Sequence, residues 1–129
     1  MPMLLDTCTL LWLSMDQSKL SESAKQAIGE HPNDLFVTAT TALEVSFLVR
    51  KKRLQLPLEV EEWFRQLLKH HGIQQVPLNF QIAVQSDQLP PIHADPVDRL
   101  LIATAQEYNM TVVTPDHLIR QYPDVRCLW

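Results

Sequence analysis

The sequence predicts an α/β fold in one domain, residues 1–129, with a central sheet of five mainly parallel strands and helices on both faces. Short apolar segments alternate along the chain with longer amphipathic ones, which is the order of successive β-α units. A hydrophobic content of 46% is enough to fill one core. The chain has only two glycines, and most of its nine prolines fall at element ends, so long flexible linkers are not expected.

The first part of the chain predicts two strands and two helices. Residues 3–5 form an apolar run that stops at a polar turn, as a buried strand does. The leucine-rich segment 10–13 indicates a short helix. Ser21 can cap a second helix over residues 22–29, because its hydroxyl can accept a backbone N–H of the first turn. Residues 35–37 are then the second strand.

The middle of the chain predicts two longer helices and a strand. The threonine-rich segment 38–41 marks the start of a third helix that runs to Lys52. Pro57 is placed at the start of a fourth helix, which is amphipathic and ends near Gly72. The third strand covers residues 73–76 and is followed directly by a proline.

The last part predicts two helices and two strands. Asn79 can cap a fifth helix. Asp95 is a good N-cap for the sixth, since Pro96 then takes the first helical position. Residues 111–113 form the fourth strand, a short helix follows, and residues 125–128 form the fifth strand.

Four acidic residues are expected at one edge of this sheet. Asp6 follows the first strand directly, and Asp116 follows the fourth by three residues. Glu44 lies near the start of a helix that leaves the same edge, and Asp98 lies in the first turn of the helix before the fourth strand. Parallel sheets bind ligands beyond the carboxyl ends of their strands, so these side chains can share one crevice.

A shared crevice predicts a bound metal. Neighbouring carboxylates repel, and a divalent cation removes that penalty. Oxygen ligands suit Mg²⁺, with Mn²⁺ as the alternative, better than Zn²⁺. Such an ion can activate water and neutralise the charge of a phosphodiester, which predicts metal-dependent hydrolysis. The formal charge of −4 argues against a general grip on nucleic acid, but not against an acidic site that cations offset.

Each acid also has a purely structural interpretation. Glu44 follows Thr41 by three residues, the spacing of a capping box. Asp98 follows Asp95 by three and could simply favour the helix dipole. The other two acids could each cap the helix that follows them. These interpretations stay open at the level of sequence.

Several segments resemble the successive motifs of the PIN domain, most closely the VapC-like toxins of bacterial toxin–antitoxin pairs. The resemblance implies a three-layer α/β/α fold and a magnesium-dependent endoribonuclease. It also implies RNA as substrate, a cognate antitoxin as partner, and a homodimer. The segments that carry it are 4–7, 41–45, 93–103 and 113–116, supported by 50–57 and 125–129.

Carried over by position, the resemblance implies that Asp6 and Asp98 are the principal metal ligands. The other implied members of the site are two acids and two hydroxyls: Glu44, Asp116, Thr7 and Thr114. Cys8 and Ala42 depart from the subgroup, which usually has a polar and an aromatic residue there. Possible RNA contacts are the basic residues Arg50, Lys51, Lys52, Arg53 and Arg99.

These additional candidates have alternatives. The basic run could be a solvated helix end, and Arg99 could form an internal ion pair. His93 could contact RNA or act as an acid, but a loop histidine is more often solvated. Asp95 is interpreted as an N-cap outside the metal site.

Two other functions compete with a ribonuclease. One is a PIN-like protein that binds RNA or regulates a partner without cleavage. The other is an aspartyl-phosphate phosphatase, which would need a second aspartate where Cys8 stands. No signal peptide, membrane-spanning segment or disulfide framework is evident, so a cytoplasmic protein without a membrane partner is expected. The RNA target and the number of metals are left open.

Overall fold

All five strands of the central sheet are parallel, in the order β3-β2-β1-β4-β5. The computed structural model describes residues 1–129. The chain order reverses between β1 and β4, which pair from Met3 opposite Thr111 to Leu5 opposite Val113. A ligand crevice is expected at such a reversal. The strands are β1 (Met3–Leu5), β2 (Leu35–Thr38), β3 (Gln74–Val76), β4 (Thr111–Val113) and β5 (Cys127–Leu128).

Six α-helices cover the sheet on both sides, which confirms the predicted three-layer α/β/α fold. Short 3₁₀ turns occur at Gln17–Lys19 and Ile119–Gln121. None of the helices combines the length and the apolar character needed to cross a bilayer. The helices are α1 (Thr7–Met15), α2 (Glu22–Glu30), α3 (Ala39–Arg50), α4 (Val60–His71), α5 (Phe80–Gln88) and α6 (Pro96–Tyr108).

The alternation of side chains along β1 divides the core into two layers. Met3 and Leu5 join the cluster formed with α1, α2 and α4, whereas Leu4 joins the cluster formed with α6. All three side chains are fully buried. The sheet is therefore apolar on both faces, as parallel sheets covered by helices are.

Local capping chemistry sets most helix ends where the sequence predicts them. The side chains of Ser21, Asn79 and Asp95 each accept a backbone N–H from the first turn of their helix. Gly72 ends α4 in the left-handed conformation with φ of 65°, which glycine adopts without steric penalty.

Three predicted elements differ from the structure. The fourth helix begins at Val60 and not at Pro57. This start places Glu61 and Glu62 in the first turn, where their negative charges interact favourably with the helix dipole. The fifth strand has only two residues, Cys127 and Leu128, which pair with Val112 and Val113 of β4. The segment after Asp116 forms a 3₁₀ turn at Ile119–Gln121 in place of a short α-helix.

Candidate active site

Asp6 and Asp116 lie beside each other at the carboxyl ends of the neighbouring strands β1 and β4. Asp6 is 5% exposed. The hydroxyl of Thr114 links the two: it donates to Asp6 Oδ2 at 2.5 Å and accepts the backbone N–H of Asp116 at 3.0 Å. Thr114, which the sequence suggested only as a supporting hydroxyl, thus joins two of the predicted acids at the reversal of strand order.

Asp98 and Glu44 come to the same crevice from two helices. Asp98 is in the first turn of α6, and its Oδ2 lies 3.0 Å from His93 Nε2, which also lies 3.1 Å from Asp116 Oδ2. Carboxylate oxygens of Glu44, Asp95 and Asp98 lie within 4.8 Å of one another. Asp98 therefore belongs to two groups of side chains, one with His93 and Asp116 and one with Glu44 and Asp95. Asp6 belongs to neither group and is joined to Asp116 through Thr114.

Asp6 and Asp116 can cap the turn that follows them and also face the crevice, because each carboxylate has two oxygens. Oδ1 of Asp6 accepts the Thr9 N–H at 2.8 Å and caps α1, while Oδ2 contacts Thr114. Asp116 likewise uses Oδ1 for the backbone of the following turn and Oδ2 for His93. Capping thus orients these side chains and leaves the second oxygen to the crevice.

Glu44 is not part of a capping box. Helix α3 begins at Ala39 after Thr38, which makes no side-chain cap, so Glu44 lies in the second turn and not in the first. The hydroxyl of Thr7 lies close to the Glu44 carboxylate and acts to lower its pKa. Burial is the larger effect and raises the pKa of Glu44, with the Asp95 and Asp6 charges adding to the rise.

Burial also raises the pKa of Asp98, to about 7, and the carboxylate of Asp95 adds to the rise against an opposing effect of His93. Burial raises the pKa of Asp6 despite hydrogen bonds from Thr114 and Thr9 that lower it. Asp116 is the exception. Burial acts to raise its pKa, but hydrogen bonds from His93 and two backbone amides outweigh it and lower the pKa.

This donor set fits a divalent cation. Its carboxylate oxygens outnumber the single imidazole nitrogen, and hard oxygen ligands are those that Mg²⁺ and Mn²⁺ prefer. A cation among them would also offset the burial and the repulsion that raise the pKa of Asp98. The residues that could hold it are Asp6, Glu44, Asp98 and Asp116, with Asp95 and His93 adjacent.

Sequence reasoning missed the position of His93. Its side chain is only 11% exposed, and so it is not a solvated loop residue. Its Nδ1 accepts the backbone N–H of Asp95 at 3.1 Å, which places the proton of the neutral imidazole on Nε2, facing the two carboxylates. The available signal was its place in the same motif as Asp98, five residues earlier.

The guanidinium of Arg99 is bound within the protein, and its contact with RNA stays a prediction. Its guanidinium donates to backbone carbonyl oxygens at 2.9–3.2 Å, and it forms no internal ion pair. Both terminal nitrogens, Nη1 and Nη2, are thereby directed toward the protein backbone. The acceptors belong to Asp87, Leu89, Pro90 and His93.

The basic run at the end of α3 is exposed. Arg50 lies over the ring of Phe47 with its guanidinium carbon 5.2 Å from the centroid, and Lys51 lies 6.0 Å from it. Lys52 and Arg53 are also exposed. Helix α3 therefore carries Glu44 near its start and a positive surface at its end.

Cys8 is an exposed thiol at the edge of the crevice. Burial of its sulfur and the charge of Asp6 raise its pKa to about 11, with Glu44 adding to the rise. The thiol is therefore protonated at neutral pH and is a poor nucleophile. Nothing at this position supplies the second carboxylate that a phosphatase of the aspartyl-phosphate type would need.

Comparisons with known proteins agree with this arrangement. The PIN domain family model matches residues 3–125. Ribonuclease VapC22 of Mycobacterium tuberculosis is 36% identical over 120 residues, which cover 92% of this chain and 90% of that protein.

Two solved structures share the fold at low sequence identity. VapBC2 from Rickettsia felis, bound to a DNA fragment from its promoter, has a TM-score of 0.71 at 13% identity and covers 99% of this chain and 98% of its own. A toxin–antitoxin complex from Klebsiella pneumoniae has a TM-score of 0.63 at 22% identity, with 95% and 93% covered.

Proposed function

The chain belongs to the PIN domain family, and from this premise we propose that it is a metal-dependent endoribonuclease, the toxin of a VapBC-type toxin–antitoxin pair. The observation that carries the proposal is the clustering of Glu44, Asp98 and Asp116 at one crevice, with Asp6 joined to Asp116 through Thr114. The ribonuclease relative at 36% identity supports RNA as the substrate class.

In this proposal Asp6 and Asp98 are the principal ligands of Mg²⁺, or of Mn²⁺, and Glu44 and Asp116 complete the set. When bound, the cation supplies charge neutralisation at the scissile phosphate and a lowered pKa for the attacking water. The protein's part is to hold the acids in place. Thr114 positions Asp6 through a hydrogen bond, and Thr7 lies beside the carboxylate of Glu44.

The basic residues at the end of α3 are proposed to hold RNA on either side of the cleaved bond. They are Arg50, Lys51, Lys52 and Arg53. All four are exposed, and none forms an ion pair with an acid of the protein. Free cationic side chains bind phosphates by releasing counterions, without reading the base sequence.

A cognate antitoxin is the proposed protein partner, and a homodimer in the cytoplasm is the proposed form of the free toxin. The structural neighbours support the first of these, because one is a toxin–antitoxin complex and another is a VapBC protein bound to promoter DNA. Co-expression with the adjacent open reading frame and size-exclusion chromatography would test both.

RNA cleavage by the purified protein tests the proposed activity. Cleavage should require Mg²⁺ or Mn²⁺, stop with EDTA, and be lost in Asp6→Asn and Asp98→Asn. Asp124→Asn is the matched control, since it makes the same charge change at an exposed position that lines a separate surface pocket with Gln85 and Arg126. Full cleavage by Asp98→Asn would overturn the proposal. RNA binding without cleavage would instead favour a non-cleaving regulator.

A further inference from the structure

The loop between α5 and α6, residues 89–95, carries His93 into the crevice and is tied down by Tyr122. The phenol oxygen of Tyr122 accepts the backbone N–H of His93 at 2.9 Å and donates to the carbonyl of Pro90 at 2.9 Å. Tyr122 is 2% exposed and packs with the core layer beneath α6. One buried hydroxyl therefore fixes the loop at two points, from a residue 29 positions along the chain.

Arg99 holds the same loop from the other side. Its Nη1 donates to the carbonyls of Pro90 at 3.1 Å and His93 at 3.2 Å. Its Nη2 donates to those of Asp87 at 3.2 Å and Leu89 at 2.9 Å, at the end of α5. A planar guanidinium presents its donors in a fixed arrangement, so this contact joins α5, the loop and α6 in one geometry.

As a result, His93 is held through three of its own groups. Its backbone N–H is bound by Tyr122, its carbonyl by Arg99, and its Nδ1 by the Asp95 N–H. Only Nε2–H is left, and it donates to Asp116 Oδ2 at 3.1 Å while lying 3.0 Å from Asp98 Oδ2. A single donor thus sits between two carboxylates that would otherwise repel.

We propose that Tyr122 is a positioning residue of the candidate active site. Through the backbone of His93 it fixes the imidazole between Asp98 and Asp116, and thereby keeps the two carboxylates within reach of one cation. The cation is taken from the proposed function, on which this part of the inference rests. Groups that orient a metal site from outside its ligands commonly change metal affinity when removed.

Tyr122→Phe is the direct test, because it removes only the hydroxyl. Pro90 keeps its bond from Arg99, and Arg99 Nη1 loses only a long 3.5 Å contact to the hydroxyl while keeping its carbonyl partners. The N–H of His93 is therefore the one group left without a partner. Tyr108→Phe is the matched control: its hydroxyl bonds to Pro77 at 3.4 Å, in an exposed position away from the loop. Long-range ¹H–¹⁵N NMR of the imidazoles, assigned with His93→Gln, reports the tautomer of His93.

We expect a single Nε2–H tautomer in the wild type and in Tyr108→Phe, and a mixture of tautomers in Tyr122→Phe. Mn²⁺ binding followed by electron paramagnetic resonance should be weaker in Tyr122→Phe by about tenfold or more, and unchanged in Tyr108→Phe. A Tyr122→Phe protein that keeps both the tautomer and the wild-type affinity would overturn the proposal.

If thermal unfolding shows that Tyr122→Phe is not folded, His93→Ala tests the group through which Tyr122 is proposed to act. It removes the imidazole and keeps the backbone bond to Tyr122, so Mn²⁺ affinity should fall as well. Unchanged or tighter binding would contradict the proposed role of His93. The nuclease proposal and the proposed role of Tyr122 can be refuted independently. A wild-type protein that binds no metal and cuts no RNA would refute the nuclease activity. The tautomer measurement in metal-free protein would still decide the role of Tyr122.

Discussion

Asp98→Asn should stabilise the metal-free protein although it removes the proposed activity. Burial, and then the Asp95 carboxylate, raise the pKa of Asp98 from 3.8 to about 7. The folded state therefore binds this proton more tightly than the unfolded chain does. The free energy of unfolding consequently falls as pH rises from about 4 to about 7, and the loss is complete above the folded pKa. Asparagine cannot ionise and avoids the loss.

The structure sets the size of the effect. A pKa of about 7 in place of 3.8 corresponds to roughly 4 kcal/mol at pH 8. The Asp98 side chain is 21% exposed, and water screens part of the penalty, so we expect about half, on the order of 2 kcal/mol. At pH 5 most of the carboxyl is still protonated in the folded state, and the gain should be below about 1 kcal/mol.

Urea unfolding in EDTA at pH 5 and pH 8 measures this difference. The Asp124→Asn control should leave stability within about 0.5 kcal/mol of wild type, as exposed substitutions usually do. Adding Mg²⁺ at pH 8 should stabilise the wild type more than Asp98→Asn, because binding to the folded state alone raises its stability. An Asp98→Asn protein that gains nothing at pH 8, or gains equally at both pH values, would refute the link between stability and this carboxyl.

Three further predictions address other parts of the molecule. Thr114→Val should raise the pKa of Asp6 further and lower stability by about 1–3 kcal/mol, because a buried carboxylate is deprived of a donor; NMR titration and urea unfolding measure the two effects. Replacing Lys51 and Arg53 with alanine should weaken RNA binding in EDTA and reduce the slope of log affinity against log salt by about 0.7 for each phosphate that is no longer neutralised, as filter binding at several salt concentrations would show. Leu4→Ala should lower the free energy of unfolding by about 2–5 kcal/mol, since the side chain is fully buried between β1 and α6.

Most of the fold is predictable because its signals are local. Apolar runs that end at polar turns mark the strands, and the side chains of Ser21, Asn79 and Asp95 cap their helices within one turn. The start of α4 at Val60 and the length of β5 are less local. The first depends on where the acidic residues of the first turn lie relative to the helix dipole, and the second on the register with which the chain end pairs with β4.

The candidate site also has residues that local sequence signals predict and residues that they do not. Asp6 and Asp116 follow from the strand ends, and the topology then brings them to neighbouring positions. His93 and Arg99 could not be placed from sequence. The backbone N–H of His93 donates to the side-chain hydroxyl of Tyr122, which is far along the chain. The partners of Arg99 are backbone carbonyl oxygens, which every residue type carries. Side-chain patterns carry no information about such bonds.

The two carboxylate oxygens of Asp6, and likewise those of Asp116, have different roles, and this has a genetic consequence. One oxygen of each holds the start of the following turn, and the other faces the crevice. Most replacements at these codons therefore remove a structural cap together with the candidate ligand. Asparagine is different, because its amide oxygen can still cap while the charge is gone. An aspartate codon becomes an asparagine codon by one nucleotide transition, so the shortest mutational route to a folded protein that lacks one of these charges runs through this exchange.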